Sequence, residues 1–161
     1  MYFDKRLCMF HQIFATQDEL FETMFKTMFQ AGVVKSDLRI PKGVFTVKVL
    51  YHVDEGSRWG IALGNVENML RYGEETGLSF EIEVLANGPA VTALRRTEAA
   101  RLGLAARLES LAAGARFCAC RNALRANAVA PQELLPFVQV VPAGVVELAA
   151  RQEEGYSYIK P

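Results

Sequence analysis

From Val44 onward, short β-branched runs alternate with helix-patterned stretches, and that alternation most restricts how the chain can fold. Val44, Phe45, Val47, Val49, Leu50, Tyr51 and Val53 form a run apolar on both faces, the pattern of a strand buried in a sheet. Gly56 and Ser57 end it, with Ser57 placed to cap a following helix. That helix carries Trp59, Ala62, Leu63, Val66, Met69 and Leu70 on one face, and Gly77 closes it. A second strand runs through Phe80, Ile82, Val84 and Leu85. Asn87-Gly88-Pro89 then turns the chain into a short helical piece, and a long helix follows from Glu98 to about Ala113. Ala115 to Cys120 reads as a third strand, with a helical turn from Asn122 and a short helix at Pro131. Phe137, Val138, Val140 and Val141 make a fourth strand, and Pro142 opens a last helix towards Glu154.

Such alternation predicts an α/β domain: a parallel sheet of about four to five strands, right-handed crossovers, and helices on both faces. In these folds ligands collect beyond the carboxyl ends of the strands. The candidate residues are therefore His52 and Asp54, Asn87 and Gly88, Cys120 with Arg121 and Asn122, and Ala143-Gly144. The first 43 residues are set apart as a helical extension, leaving residues 44–161 as the α/β domain. Within the extension, Thr16 and Glu19 form a capping-box pattern and Gly32 a stop. Phe21, Met24, Phe25, Met28 and Phe29 lie between them at helical spacing, one narrow apolar face.

The 18 basic residues balance the 18 acidic ones, so no positive field is available for nucleic acid or an anionic membrane. No apolar run approaches the ~20 residues that cross a bilayer, and no signal segment is expected, so a cytoplasmic location follows. Three cysteines, Cys8, Cys118 and Cys120, are an odd number and argue for reduced thiols over a disulfide scaffold. On a strand Cys118 and Cys120 share a face roughly 6.5 Å apart, near the limit for a disulfide. Cys8 and His11 have workable spacing for a metal, but no four-ligand set exists, and no metal is expected. The acidic loop Asp54-Glu55-Gly56-Ser57 is no phosphate cradle, and no cofactor is implied. A nucleophile–base–acid set for a hydrolase is also missing, so enzymatic activity stays open.

Six stretches look familiar together: VLYHVDE from Val49, ALGNVEN from Ala62, IEVLANGP from Ile82, CACRNAL from Cys118, VVPAGVVEL from Val140, and the ending QEEGYSYIKP. In order and spacing, residues 44–161 resemble DsrE/DsrF-like proteins. The resemblance implies a flavodoxin-like three-layer sandwich that forms homo-oligomers, often trimers or hexamers. It also implies a sulfur-relay role, in which a cysteine carries a persulfide between a donor and an acceptor protein. Cys120 matches that cysteine, standing before Arg121-Asn122.

Two readings follow for Cys120. As a carrier, its thiolate is stabilised by turn amides and Arg121 at a helix start. As a packing residue, it is simply buried, as free cysteines often are. Cys118 is read first as core and second as a resolving thiol. His52 suits either a proton donor or a structural histidine. Asn87 and Gly88 either offer amides to an anion or form an ordinary strand-to-helix turn, and Asn122 is a candidate cap. Gly144 completes the candidate pocket. A non-catalytic homo-oligomeric binding or assembly module is the alternative to the carrier.

Overall fold

The computed structural model describes residues 46–161; the expected N-terminal helix, Cys8 and His11 lie outside the described residues. Five strands form one parallel sheet in the order β4-β3-β2-β1-β5. They are β1 (Thr46–Val53), β2 (Ser79–Ala86), β3 (Ala115–Cys120), β4 (Gln139–Val141) and β5 (Ser157–Ile159). The helices between them are α1 (Trp59–Thr76), α2 (Arg96–Arg101), α3 (Ala105–Leu111), α4 (Arg121–Ala126) and α5 (Gly144–Glu153).

Strand order decides where the helices go. From β1 to β4 each strand adds on the same side of its predecessor, so right-handed crossovers stack α1 to α4 on one face. The chain must then return across the sheet to put β5 beside β1, and α5 crosses the opposite face. Side-chain alternation matches this. Val49, Tyr51, Val53, Ile82, Val84, Ala86, Phe117 and Ala119 point into the larger core, against Trp59, Leu63, Val66, Leu108 and Leu124. Leu50, Leu85, Cys118 and Val141 point the other way into a smaller cluster with Tyr156 and Leu148. Each fully buried large side chain contributes roughly 1.5–3 kcal/mol, so the larger cluster carries most of the stability. Trp59 also donates its indole N–H to the Ala90 carbonyl at 3.0 Å, which keeps its one polar atom satisfied.

Several local expectations change. The long helix from Glu98 breaks at Gly103 (φ 68°) into α2 and α3, because the turn there lets both Ala99 and Leu108 reach the core. A 3-10 turn, Gly56–Arg58, precedes α1, and Ser57 bonds Glu55 instead of capping the helix. The fourth strand begins only at Gln139, since Phe137 turns in to meet the Phe117 ring edge-on at 5.8 Å. The fifth strand comes from Ser157-Tyr158-Ile159, paired with Val49-Leu50-Tyr51.

Candidate functional site around Cys120

Cys120 is the last residue of β3, and its register partner is Val141 at the end of β4. Beyond these two strands the chain parts. After β3 it enters α4 on one face of the sheet, and after β4 it enters α5 on the other. Adjacent strands whose continuations diverge leave a crevice at their carboxyl ends, the usual ligand position in an open parallel sheet. Cys120 lies at this switch point, with 4% of its surface exposed.

The sulfur's bonding partner comes from α5. The Gly144 amide donates to Cys120 Sγ at 3.1 Å. Gly144 is the first residue of a ten-residue helix whose free amides and dipole complement negative charge at that end. Gly144 is closely packed: a Cβ there would lie 3.2 Å from Cγ and Nδ2 of Asn87 and from Cβ of Cys120. Three residues far apart in sequence thus converge on one point.

Asn87 reaches this point through its side chain. Its Oδ1 accepts from the Gly88 amide at 2.9 Å, while Nδ2 has no acceptor among the described residues. The same bond occupies the Gly88 amide within the turn. Gly88 adopts φ 47° and sits close over the Asp54 carbonyl, and Asn127 Nδ2 donates to its carbonyl at 3.2 Å. This is a tightly bonded strand-to-helix turn.

His52 sits apart from the crevice. It is level with Leu85 and hence with Cys118, two strands across from β3 and so roughly 10 Å away. Its Nδ1 lies 2.9 Å from the Tyr158 hydroxyl, while Nε2 is buried without a hydrogen bond among the described residues. Burial lowers its pKa, the nearby Asp54 opposes this, and Lys160 adds to the lowering. Lys160 is held by Asp54 at 2.7 Å.

A family model described as the DsrE/DsrF-like family matches residues 48–161. The chain belongs to that family. A solved structure of a protein of unknown function, MTH1491 from Methanobacterium thermoautotrophicum, is 36% identical to it with a TM-score of 0.61. That match covers 73% of this chain and 99% of the other. No curated protein matches.

Within this DsrE/DsrF-like domain the remaining candidates separate. Arg121 and Asn122 are exposed in the first turn of α4, and the N-cap position belongs to Cys120, so Asn122 is not the cap. Among the described residues the sulfur is bonded by neither the turn amides of α4 nor Arg121; Gly144 takes that role. Cys118 is fully buried among Leu50, Leu85, Val141 and Tyr156, and both thiols are free. Burial first, and then the neighbouring carboxylates Glu83 and Glu147, push the Cys118 thiol far up, away from thiolate chemistry. No group of three or more potential metal ligands gathers among the described residues. No described helix is long and apolar enough to cross a membrane.

Glu83 was passed over in the sequence. It lies on β2 between Ile82 and Val84, on the α5 side, with 1% exposure. Its Oε2 is 2.8 Å from Arg151 Nε and 3.2 Å from Arg116 Nη1. The alternation Glu81-Ile82-Glu83-Val84 within a strand was the available signal, since it assigns two acids to one face.

Proposed function

We propose that this chain is a thiol-dependent sulfur carrier of the DsrE/DsrF-like type, with Cys120 as the residue that bears the persulfide. The observation that carries this reading is the Gly144 amide donating to Cys120 Sγ at 3.1 Å, at the start of a helix and in the switch-point crevice. Amide donors and a helix N-terminus favour an anionic sulfur. In the transfer step the Cys120 thiolate attacks the outer sulfur of a donor persulfide, R–S–SH. The donor S–S bond breaks, a new one forms to Cys120, and RS⁻ leaves with the electron pair. An acceptor thiolate then repeats the step on Cys120, so no external oxidant is needed. Asn87 Nδ2 is available to bond the bound outer sulfur, and Arg121 with Asn122 would meet the partner at the rim. His52 and Gly88 support the walls instead of touching the sulfur.

A second reading has its own support. The low exposure of Cys120 suits a packing residue, and the domain would then be a non-catalytic homo-oligomeric binding or assembly module. Exposed Val145 and Val146 beside the crevice favour self-association or partner docking under either reading. A cytoplasmic site of action and a separate 1–43 extension belong to the same proposal.

Intact-mass spectrometry after brief exposure to an inorganic polysulfide tests it. The native chain and Cys118→Ser should gain sulfur, and Cys120→Ser should not. No gain on the reduced native chain would favour the binding module.

A further inference from the structure

The face of the sheet under α5 holds a buried charge cluster that the sulfur chemistry does not use. Glu83 on β2 is its centre. From β3 it meets Arg116 Nη1 at 3.2 Å, with Cys118 one pleat further along. From α5 it meets Arg151 Nε at 2.8 Å, with Glu147 and Glu154 bonded to that same arginine. Its own strand adds Glu81, which accepts from the Tyr156 hydroxyl, and β1 adds Lys48, 3.8 Å from Glu81.

Contact is close, but the bonding is poor. Arg151 directs its aligned donors to Glu147 at 3.1 Å and Glu154 at 2.7 Å, and Arg116 directs Nε to Gln139 at 2.9 Å. Neither buried Glu83 oxygen accepts a well-aligned hydrogen bond among the described residues, although Arg151 Nε and Arg116 Nη1 both press on Oε2. A carboxylate so placed has lost its water without full replacement, whereas the neutral acid loses little. The lid over this acid is α5. The same helix, at its other end, supplies the amide on Cys120 Sγ.

We propose that Glu83 is a proton-dependent anchor for α5: the neutral acid keeps the helix seated, and ionisation favours its release from the sheet. The direction follows from linkage. Seating α5 buries the acid, so the seated form holds the proton more tightly than the released form, in which water reaches Glu83. Burial, against the pull of Arg151, holds Glu83 up at about 7, from an ordinary 4.5. Raising the pH through neutrality therefore loosens α5. Because Gly144 moves with it, the Cys120 crevice opens on the alkaline side; this consequence rests on the carrier reading, the anchor itself does not.

Hydrogen–deuterium exchange on the full chain tests the anchor without any thiol chemistry. After correction for intrinsic exchange, opening of α5 should rise about 30-fold from pH 5.5 to 8.5, from a site moving between 4.5 and about 7. The α1 amides provide the internal reference. In Glu83→Gln, a neutral isostere, the pH dependence of α5 should disappear. Should that variant fail to fold, the carboxyl carbon resonance of Glu83 in the native chain is titrated instead, with a midpoint near 7 expected. Flat α5 exchange, equal pH dependence in Glu83→Gln, or a midpoint at an ordinary glutamate value would each overturn the anchor. The carrier fails separately, on sulfur uptake.

Discussion

Gly144→Ala tests the site most directly, because its consequences are worked from contacts already described. An added methyl meets Asn87 Cγ and Nδ2 and Cys120 Cβ, all at 3.2 Å, so its neighbours must yield by a few tenths of an ångström. They yield poorly. Asn87 is tied by Oδ1 to Gly88 at 2.9 Å, and Cys120 is fixed by its pairing with Val141. Three effects compete. Replacing a helical glycine with alanine gains roughly 0.5–1 kcal/mol in backbone entropy. Crowding a packed site costs about 1–3 kcal/mol. Displacing the amide from the sulfur loses about 1 kcal/mol of hydrogen bonding. Cost exceeds gain, and urea unfolding should show a net destabilisation of about 1–3.5 kcal/mol. If that same hydrogen bond of about 1 kcal/mol is also lost in the transition state, sulfur uptake should slow about fivefold. Asn87→Ala removes two of the three close atoms, so Gly144→Ala in that background should cost at least about 0.5 kcal/mol less. A Gly144→Ala chain of equal or greater stability with undiminished uptake would refute the close-packed, amide-bonded picture of Cys120.

Glu83 makes stability fall as pH rises. The native form holds its proton up to about 7 and the unfolded chain only to 4.5, so the contribution is complete below 4.5 and lost through 7. The full span is about 3 kcal/mol, and urea titrations at several pH values should show it in the native chain and not in Glu83→Gln. That variant leaves no orphaned guanidinium, since Arg151 retains Glu147 and Glu154, and Arg116 retains Gln139. Cys118 should remain unmodified by iodoacetamide at pH 8 until the chain unfolds, as peptide mapping by mass spectrometry will show; early labelling would contradict its burial. Trp59→Phe should cost about 1–3 kcal/mol in urea unfolding, because the buried Ala90 carbonyl loses its donor.

Much of this architecture is written locally. The β-branched run ending at Val53, the amphipathic face from Trp59 to Leu70 and the Ala115–Cys120 strand are period-two and period-3.6 patterns, and each formed the predicted element type. The Glu98–Ala113 stretch shows the limit of that reading. Its Ala/Leu/Arg composition suits one helix, yet a single glycine at φ 68° divides it so that two faces can be buried. The fifth strand, only Ser157–Ile159, is too short for any periodicity to announce it and depends on pairing with β1.

Strand ends could be found in the sequence, but not their neighbours. His52, Asn87, Cys120 and Gly144 all lie at or just beyond the ends of strands, and nothing local says which of them meet. That depends on the order β4-β3-β2-β1-β5, set by long-range pairing. The order puts β4 beside β3 and brings Gly144 to the sulfur, while β1 lies two strands away and leaves His52 to Tyr158. Among the described residues, it also makes α5 the one helix crossing its face of the sheet. One helix cannot cover five strands with apolar contacts, and the exposed margin of that face accepts Lys48, Glu81 and Arg116. Glu83 lies where this polar margin passes under the helix, so its burial arises from topology and not from its neighbours in sequence. The return crossover that creates the crevice at Cys120 is therefore the same feature that buries an acid beneath the helix bounding it.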